Sequence, residues 1–203
     1  MRYGASMSDT PPRVRGSYPK GQARRRQILE AALVVFARSG YHAGSLREIA
    51  KRVDLTPAGL MHHFASKEEL FTEVLRERDE RVREAAGEPV AGELVEQARR
   101  VVAHNQTTRG LTSLYTVVVA EATDAEHPAH DHFARVYAER ATSTEAEIRA
   151  AQAAGDIRAD LDPAATARLI SAVMDGLQQQ WLLDESVDMV ALFDEFVTKY
   201  LRP

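Results

Sequence analysis

The stretch Ser45–Leu70, SLREIAKRVDLTPAGLMHHFASKEEL, places three helix starts and two very short turns within 26 residues. Ser45 is followed three positions later by Glu48, and Ser66 by Glu69. Each pair can form a capping box, in which hydroxyl and carboxylate satisfy backbone N–H groups that a first helical turn leaves unpaired. Between them Thr56 precedes Pro57, an N-cap followed by proline at the helical position where a missing N–H costs nothing. The expected elements are a helix over about Leu46–Val53, a turn over Asp54–Thr56 and a second helix over about Pro57–Phe64. Two short helices so joined outline a helix-turn-helix unit, whose second helix suits the major groove of DNA.

Upstream, Ile28, Leu29, Ala32, Val35 and Phe36 recur at helical spacing from Arg24 to Ser39, with Gly40 where that helix would stop. Arg24, Arg25 and Arg26 crowd its N-terminal end, where positive charge disfavours the helix dipole and hints at an outside anion. Downstream of Ser66 a long helix begins with Leu70, Phe71, Val74 and Leu75. It then becomes charged through Glu84, with the i,i+4 pairs Glu77–Arg81 and Asp79–Arg83. It reads as a connecting rod.

Charge is divided unevenly along the chain. Residues 1–67 carry 12 Lys and Arg against 4 Asp and Glu, whereas residues 68–203 carry 14 against 26. Only the first part suits a polyanion, so one end of the molecule is expected to dock on DNA while the acidic remainder faces away. A hydrophobic content of 44% with 28% charged residues over 203 positions is ordinary for a globular chain with a sizeable core. Zero cysteine excludes disulfides, thiolate nucleophiles and cysteine-ligated zinc. Neither a membrane span nor a signal-peptide segment is expected, which places the protein in the cytoplasm. Residues 1–6 carry no pattern, so Met7 competes with Met1 as the start.

The runs RRRQILEAALVVFARSGYHAGSLREIA (Arg24–Ala50) and LTPAGLMHHFASKEELF (Leu55–Phe71) resemble the TetR-like one-component transcriptional regulators of bacteria. The resemblance implies an all-α protein: an N-terminal three-helix domain with a helix-turn-helix, then a larger helical bundle for ligand binding and dimerisation. We divide the chain accordingly into a flexible arm (1–22), a DNA-binding domain (23–71) and a ligand-binding and dimerisation domain (72–203), with 72–86 as the connecting helix.

From their chemistry, Thr56, His62 and His63 are the polar groups of the second helix able to face DNA, while Ala58 and Gly59 offer methyl contact or close backbone approach. Leu60 and Phe64 should anchor the helix to its domain. By resemblance, His63, Lys67 and Ser45 contact phosphate, and Thr56, Ala58, Gly59 and His62 line the groove. Arg24, Arg25, Arg47 and Lys51 join them as basic candidates. Met61 stands where the family commonly has a phosphate-touching tyrosine, and it cannot donate that hydrogen bond. One short helix discriminates too little, since a good base contact is worth about 1–3 kcal/mol. A two-fold dimer reading successive major grooves about 34–36 Å apart predicts a pseudo-palindromic operator.

After a boundary at Gly87–Gly92, containing Pro89, the segments Leu94–Thr108, Leu111–Thr123, about Pro128–Ala154, Pro163–Leu183 and Val187–Leu201 all read as helices. The β-branched run Thr116–Val119 is too short and too embedded to be a strand. The last two helices are the most apolar, with stripes Leu169, Val173, Leu177, Trp181 and Met189, Leu192, Phe193, Phe196, Val197, Tyr200. Ala172 and Gly176 permit close approach of a neighbour. By resemblance these helices pair with their copies in a homodimer, and the bundle holds a small-molecule effector whose binding releases a repressor from its operator. Candidate effector contacts are His104, Tyr115, Tyr137, Met174, Gln178 and Trp181. A pocket built from such groups would suit an uncharged or weakly polar compound.

The segment EHPAHDHF (Glu126–Phe133) opens two rival readings: a metal-responsive regulator using His127, His130 and His132, or, more remotely, a helical metal-dependent phosphohydrolase built on its His-Asp doublet. Further His and Asp ligands on separate helices are missing for the latter. No phosphate-cradling glycine loop, serine elbow or spaced carboxylate pair points to other catalysis, and no cofactor is implied.

Overall fold

A computed structural model describes residues 18–88, 90 and 92–203. The expected arm lies outside the described residues as far as 17, as do Met7 and Pro89. From Tyr18 onward the chain is already helical. Among the described residues there is no strand, and the elements run α1 (Tyr18–Ala43), α2 (Leu46–Arg52), α3 (Pro57–Met61), α4 (Lys67–Ala86), α5 (Leu94–Thr107), α6 (Arg109–Glu121), α7 (His130–Ala154), α8 (Pro163–Leu183) and α9 (Met189–Phe196). A wider turn over Val197–Leu201 ends the last of them, with Arg202 N–H donating to Val197 O at 3.0 Å.

The local signals act where they were read, with differences in detail. Ser45 Oγ accepts from Glu48 N at 3.3 Å, Thr56 Oγ1 from Gly59 N at 3.0 Å and Ser66 Oγ from Glu69 N at 2.9 Å. The carboxylate half of the first capping box is not made, because Glu48 turns to Arg52 at 3.0 Å. Glu69 does reach back, but to Ala65 N–H rather than to the cap residue itself. α3 stops at Met61, three residues short of Phe64, since the chain must turn to carry Phe64 into the core, where it is 1% exposed. On α4, Glu77 pairs with Arg81 at 3.0 Å, whereas Arg83 takes Glu80 and Asp79 is drawn to Arg78 and His132.

Two apolar cores organise the molecule. One gathers Phe36, Ile49, Leu60 and Phe71 of α1–α4 together with Leu114 and Val118 of α6 and Phe133 of α7. The other gathers Val102 of α5, Ile148 of α7, Leu177 and Trp181 of α8 and Phe193 of α9. The helix-turn-helix therefore shares its core with α6 and the start of α7, across the boundary drawn after residue 71. α1 packs chiefly on α6, and Gly40 is the hinge of that join. Its backbone (φ 67°, ψ −172°) lies in a region that essentially only glycine occupies, and Glu121 of α6 fills the space a Cβ would need. The same Glu121 accepts Tyr41 N–H at 2.7 Å.

The stripe Leu169, Val173, Leu177, Trp181 does not form one face. Leu177 and Trp181 are buried in the second core, while Leu169 is 58% exposed, because the row winds around α8 as it advances.

Candidate nucleic-acid interface and effector cavity

The cap and proline that start α3 hold it against the first core through Leu60 and Phe64, both essentially fully buried. What remains outward is Thr56, Pro57, Ala58 and His62, all exposed, with Gly59, Met61 and His63 half-buried beside them. Ser45 and Arg47 at the start of α2, and Lys51 at its end, are also exposed. The Thr56 hydroxyl accepts Gly59 N–H with one lone pair, leaving its own O–H free to donate outward.

Three basic candidates are turned onto their own domain. Arg24 donates to Val53 O and to Gln27 at 3.0 Å, closing the end of α2. Arg25 stacks over the Phe64 ring at 4.2 Å and pairs with Glu73 at 3.4 Å. Lys67 donates to His42 O at 3.1 Å and sits 4.8 Å from the centre of the Tyr41 ring. Burial holds its ammonium below the usual lysine value, against the opposing charge of Glu121.

A cavity of about 270 Å³ opens between α4, α5, α6, α7 and α8. Of the six residues read as effector contacts, Tyr115, Met174 and Gln178 line it. Tyr137 stands one step behind, bonded to Tyr115 Oη at 3.0 Å and donating to Asp175 Oδ2 at 2.6 Å. His104 and Trp181 do not line it. Trp181 belongs to the second core, and His104 is half-buried, its imidazole held below its ordinary value by burial and by Arg78 and Arg81.

The lining is not neutral, contrary to the expectation from the sequence. It includes Arg78, Arg140, Glu147 and Asp175, none of which the sequence reading singled out. Arg78 is buried at 5% exposure, with its guanidinium carbon 4.1 Å from the centre of the Tyr115 ring. A signal for it did exist. Phe71, Val74, Leu75, Arg78 and Val82 continue one helical row, so the arginine occupies a core register inside an apolar stripe. Arg140 likewise continues the row of Phe133 and Tyr137.

Residues 28–74 match the family described as bacterial regulatory proteins, tetR family, and residues 92–196 match the tetracyclin repressor-like C-terminal domain. The HTH-type transcriptional regulator UidR of Escherichia coli (strain K12) is 30% identical over 156 residues, 74% of this chain and 78% of that protein. The chain belongs to the TetR family. Among solved structures of similar shape is a putative transcriptional regulator from Saccharomonospora viridis in complex with choline. It has a TM-score of 0.72 and 26% identity, covering 89% of this chain and 98% of that one. Salmonella enterica GusR has a TM-score of 0.69 and 27% identity, covering 92% and 99%.

As a TetR-family protein the chain is a helix-turn-helix transcriptional regulator, and its relatives are regulators rather than enzymes. The metal readings do not survive the fold. His127 is buried among Tyr41, His42 and Phe71, with Nδ1 accepting Ala129 N–H at 3.1 Å and Nε2 3.4 Å from Glu121. His130 Nδ1 lies 2.9 Å from Ala122 O, and His132 Nε2 lies 3.4 Å from Asp79. The three rings thus serve three separate partners, and among the described residues no group of three or more His, Cys, Asp or Glu is placed to hold a metal ion. No helix among them is long and apolar enough to cross a membrane.

Proposed function

We propose that this TetR-family regulator is a repressor that binds a pseudo-palindromic operator as a two-fold dimer and is released by a small organic effector seated in the cavity. One observation carries the reading: α4 belongs to both sites. Its first turns, Leu70 and Phe71, are built into the helix-turn-helix core, and Arg78, Val82 and Ala86 further along line the cavity. An occupant that prefers one position of α4 biases the recognition helix, whereas an occupant indifferent to that position shifts nothing. The functional division is then a DNA-binding unit from the start of α1 at Tyr18 to residue 71 and an effector and dimer unit (72–203).

Ser45, Arg47 and His63 are the proposed phosphate contacts, with Thr56, Ala58, Gly59 and His62 in the groove. Arg24, Arg25 and Lys67 hold the reader's shape and reach DNA with what donors remain, and Met61 supplies only packing at the phosphate edge. The dimer forms through α8, α9 and the Val197–Leu201 turn that ends it, whose outer faces expose Leu169, Leu183, Leu192 and Tyr200 and leave open space at Gly176. The named regulator UidR and the choline complex of a similar structure support the regulator and effector halves of this reading respectively.

Binding to the protein's own upstream DNA against random DNA at several salt concentrations tests it. A preference of roughly 10³-fold or more with a steep fall in affinity as salt rises is expected. Equal affinity for both DNAs would overturn it. Sedimentation should give a dimer, dissociated by Leu192→Glu.

A further inference from the structure

Buried polar atoms in a folded protein nearly always have partners, and at this cavity two do not. The Arg78 side chain is 6% exposed, rests on Tyr115 and gives Nη1 to Asp79 at 3.1 Å, yet its Nε–H has no acceptor. Gln178 donates Nε2–H to Met174 O at 3.3 Å, which fixes the orientation of its amide and leaves the buried Oε1 without a donor. Arg140 adds to the first demand. Among the described residues its guanidinium makes one hydrogen bond, to Tyr115 Oη at 3.4 Å, and the charge of Asp175 acts on it from beyond ion-pair distance. The two guanidinium groups therefore converge on one tyrosine, one against its face and one at its hydroxyl.

The cavity's carboxylates are already engaged. Asp175 accepts the Tyr137 hydroxyl at 2.6 Å, at the end of a run in which Arg140 donates to Tyr115, Tyr115 to Tyr137 and Tyr137 to Asp175. Burial, helped by Tyr115 and Asp175, pushes the Tyr137 hydroxyl far above the usual phenol range, so it stays a donor. Glu147 accepts from Ser143 at 3.2 Å on the solvent side, where Ser143 is exposed. Asp79 compensates Arg78 from behind. What is left unmet is hydrogen-bonding capacity: the Arg78 Nε–H and the remaining Arg140 donors at one end of the cavity, and the Gln178 acceptor at the other.

Resting on the effector reading above, we propose that the effector is a small organic monocarboxylate carrying a hydroxyl or N–H group. Its carboxylate seats against Arg78 and Arg140, its donor faces Gln178 Oε1, and its apolar body lies along Val101, Ile170 and Met174. A planar guanidinium fork matches two carboxylate oxygens, and a second negative charge would be repelled by Asp175 and Glu147 of the lining. A cavity of about 270 Å³ lies at the small end of ligand pockets and suits a compact organic molecule of roughly ten to fifteen non-hydrogen atoms.

The test uses the full-length protein in thermal shift, calorimetry and operator release. The probes are para-hydroxyphenylacetate and para-hydroxyphenylpropionate, their carboxamides, and tetramethylammonium. A carboxylate should stabilise the protein, release operator and bind roughly 10- to 100-fold more tightly than its carboxamide. Arg140→Gln should remove most of that ratio. Gln178→Leu, a second variant in case the first fails to fold, should erase the preference for para-hydroxyphenylacetate over phenylacetate. If carboxamides release the operator as well as carboxylates do, or if tetramethylammonium alone does so, the carboxylate inference is overturned and the effector reading stands. If neither class binds protein whose operator binding is intact, the effector reading fails and takes this inference with it.

Discussion

Arg78 of α4 lies against the ring of Tyr115 of α6, its guanidinium carbon 4.1 Å from the ring centre, and so ties the helix that carries the DNA reader to the helix that packs on α1. Both residues line the cavity. A molecule entering there meets the two supports of the helix-turn-helix at one point.

The two residues should differ in what their loss costs. Arg78→Met removes the desolvation cost of a buried guanidinium and its unpartnered Nε–H along with its ion pair to Asp79, which stays part-exposed beside His132, so unfolding free energy should change by less than about 1.5 kcal/mol. Tyr115→Ala empties packed volume against Phe133 and should cost about 3–5 kcal/mol. Urea unfolding of the two variants checks the contrast, and equal losses would sink it.

Gly40→Ala is expected to destabilise by about 2–3 kcal/mol, since it combines a backbone conformation closed to side chains with overlap on Glu121. Because Glu121 is held by Tyr41 N–H and lies beside His127, it cannot swing away without breaking the α1–α6 join. A variant unfolding at the wild-type urea midpoint would contradict this.

Thr56→Ala should cost about 1 kcal/mol of stability through the lost cap, whereas Thr56→Ser should keep it. His62→Ala, exposed, should leave stability unchanged and alter operator preference alone. Paired unfolding and DNA-binding curves separate the two. A His62→Ala protein with an unchanged ratio of operator to random DNA affinity would remove it from the groove.

Stability should fall as the solution is acidified through the imidazole range. Burial, against Glu121 and helped by His42, holds His127 below its ordinary value, and burial with Arg78 and Arg81 does the same to His104. The unfolded chain takes up these protons at about pH 6.5 and the folded chain only at lower pH. Their contribution is therefore complete above that value and lost as pH falls below it. Melting temperatures at about pH 7.5, 6.5 and 5.5 should decline, and His127→Gln should show the shallower slope. A variant slope as steep as the wild type would exonerate His127.

What the chain by itself determined is local. Ser45, Thr56 with Pro57, and Ser66 mark helix starts because a cap involves residues three apart, and the rows through Ile28, Ala32 and Phe36 mark buried faces because helical spacing is a property of one segment. The helix-turn-helix and the all-helical class were legible on that basis, and the family through the resemblance of Arg24–Ala50 and Leu55–Phe71. Long side chains were decided only by the tertiary structure, since they choose among partners that the sequence places far apart. Lys67 turns to His42 O, Arg25 to Phe64 and Glu73, and Glu121 to Tyr41 N–H. Read as sequence, His127 offered a rival metal-ligand reading, and it became buried packing once the connection between α6 and α7 was laid against Tyr41 and His42 of α1 and Phe71 of α4. The cavity followed the same logic. Tyr115, Met174 and Gln178 stood out as polar or adaptable groups in apolar rows, but Arg78 and Arg140 looked like two more surface charges until the crossing of α4, α6 and α7 brought both to one ring.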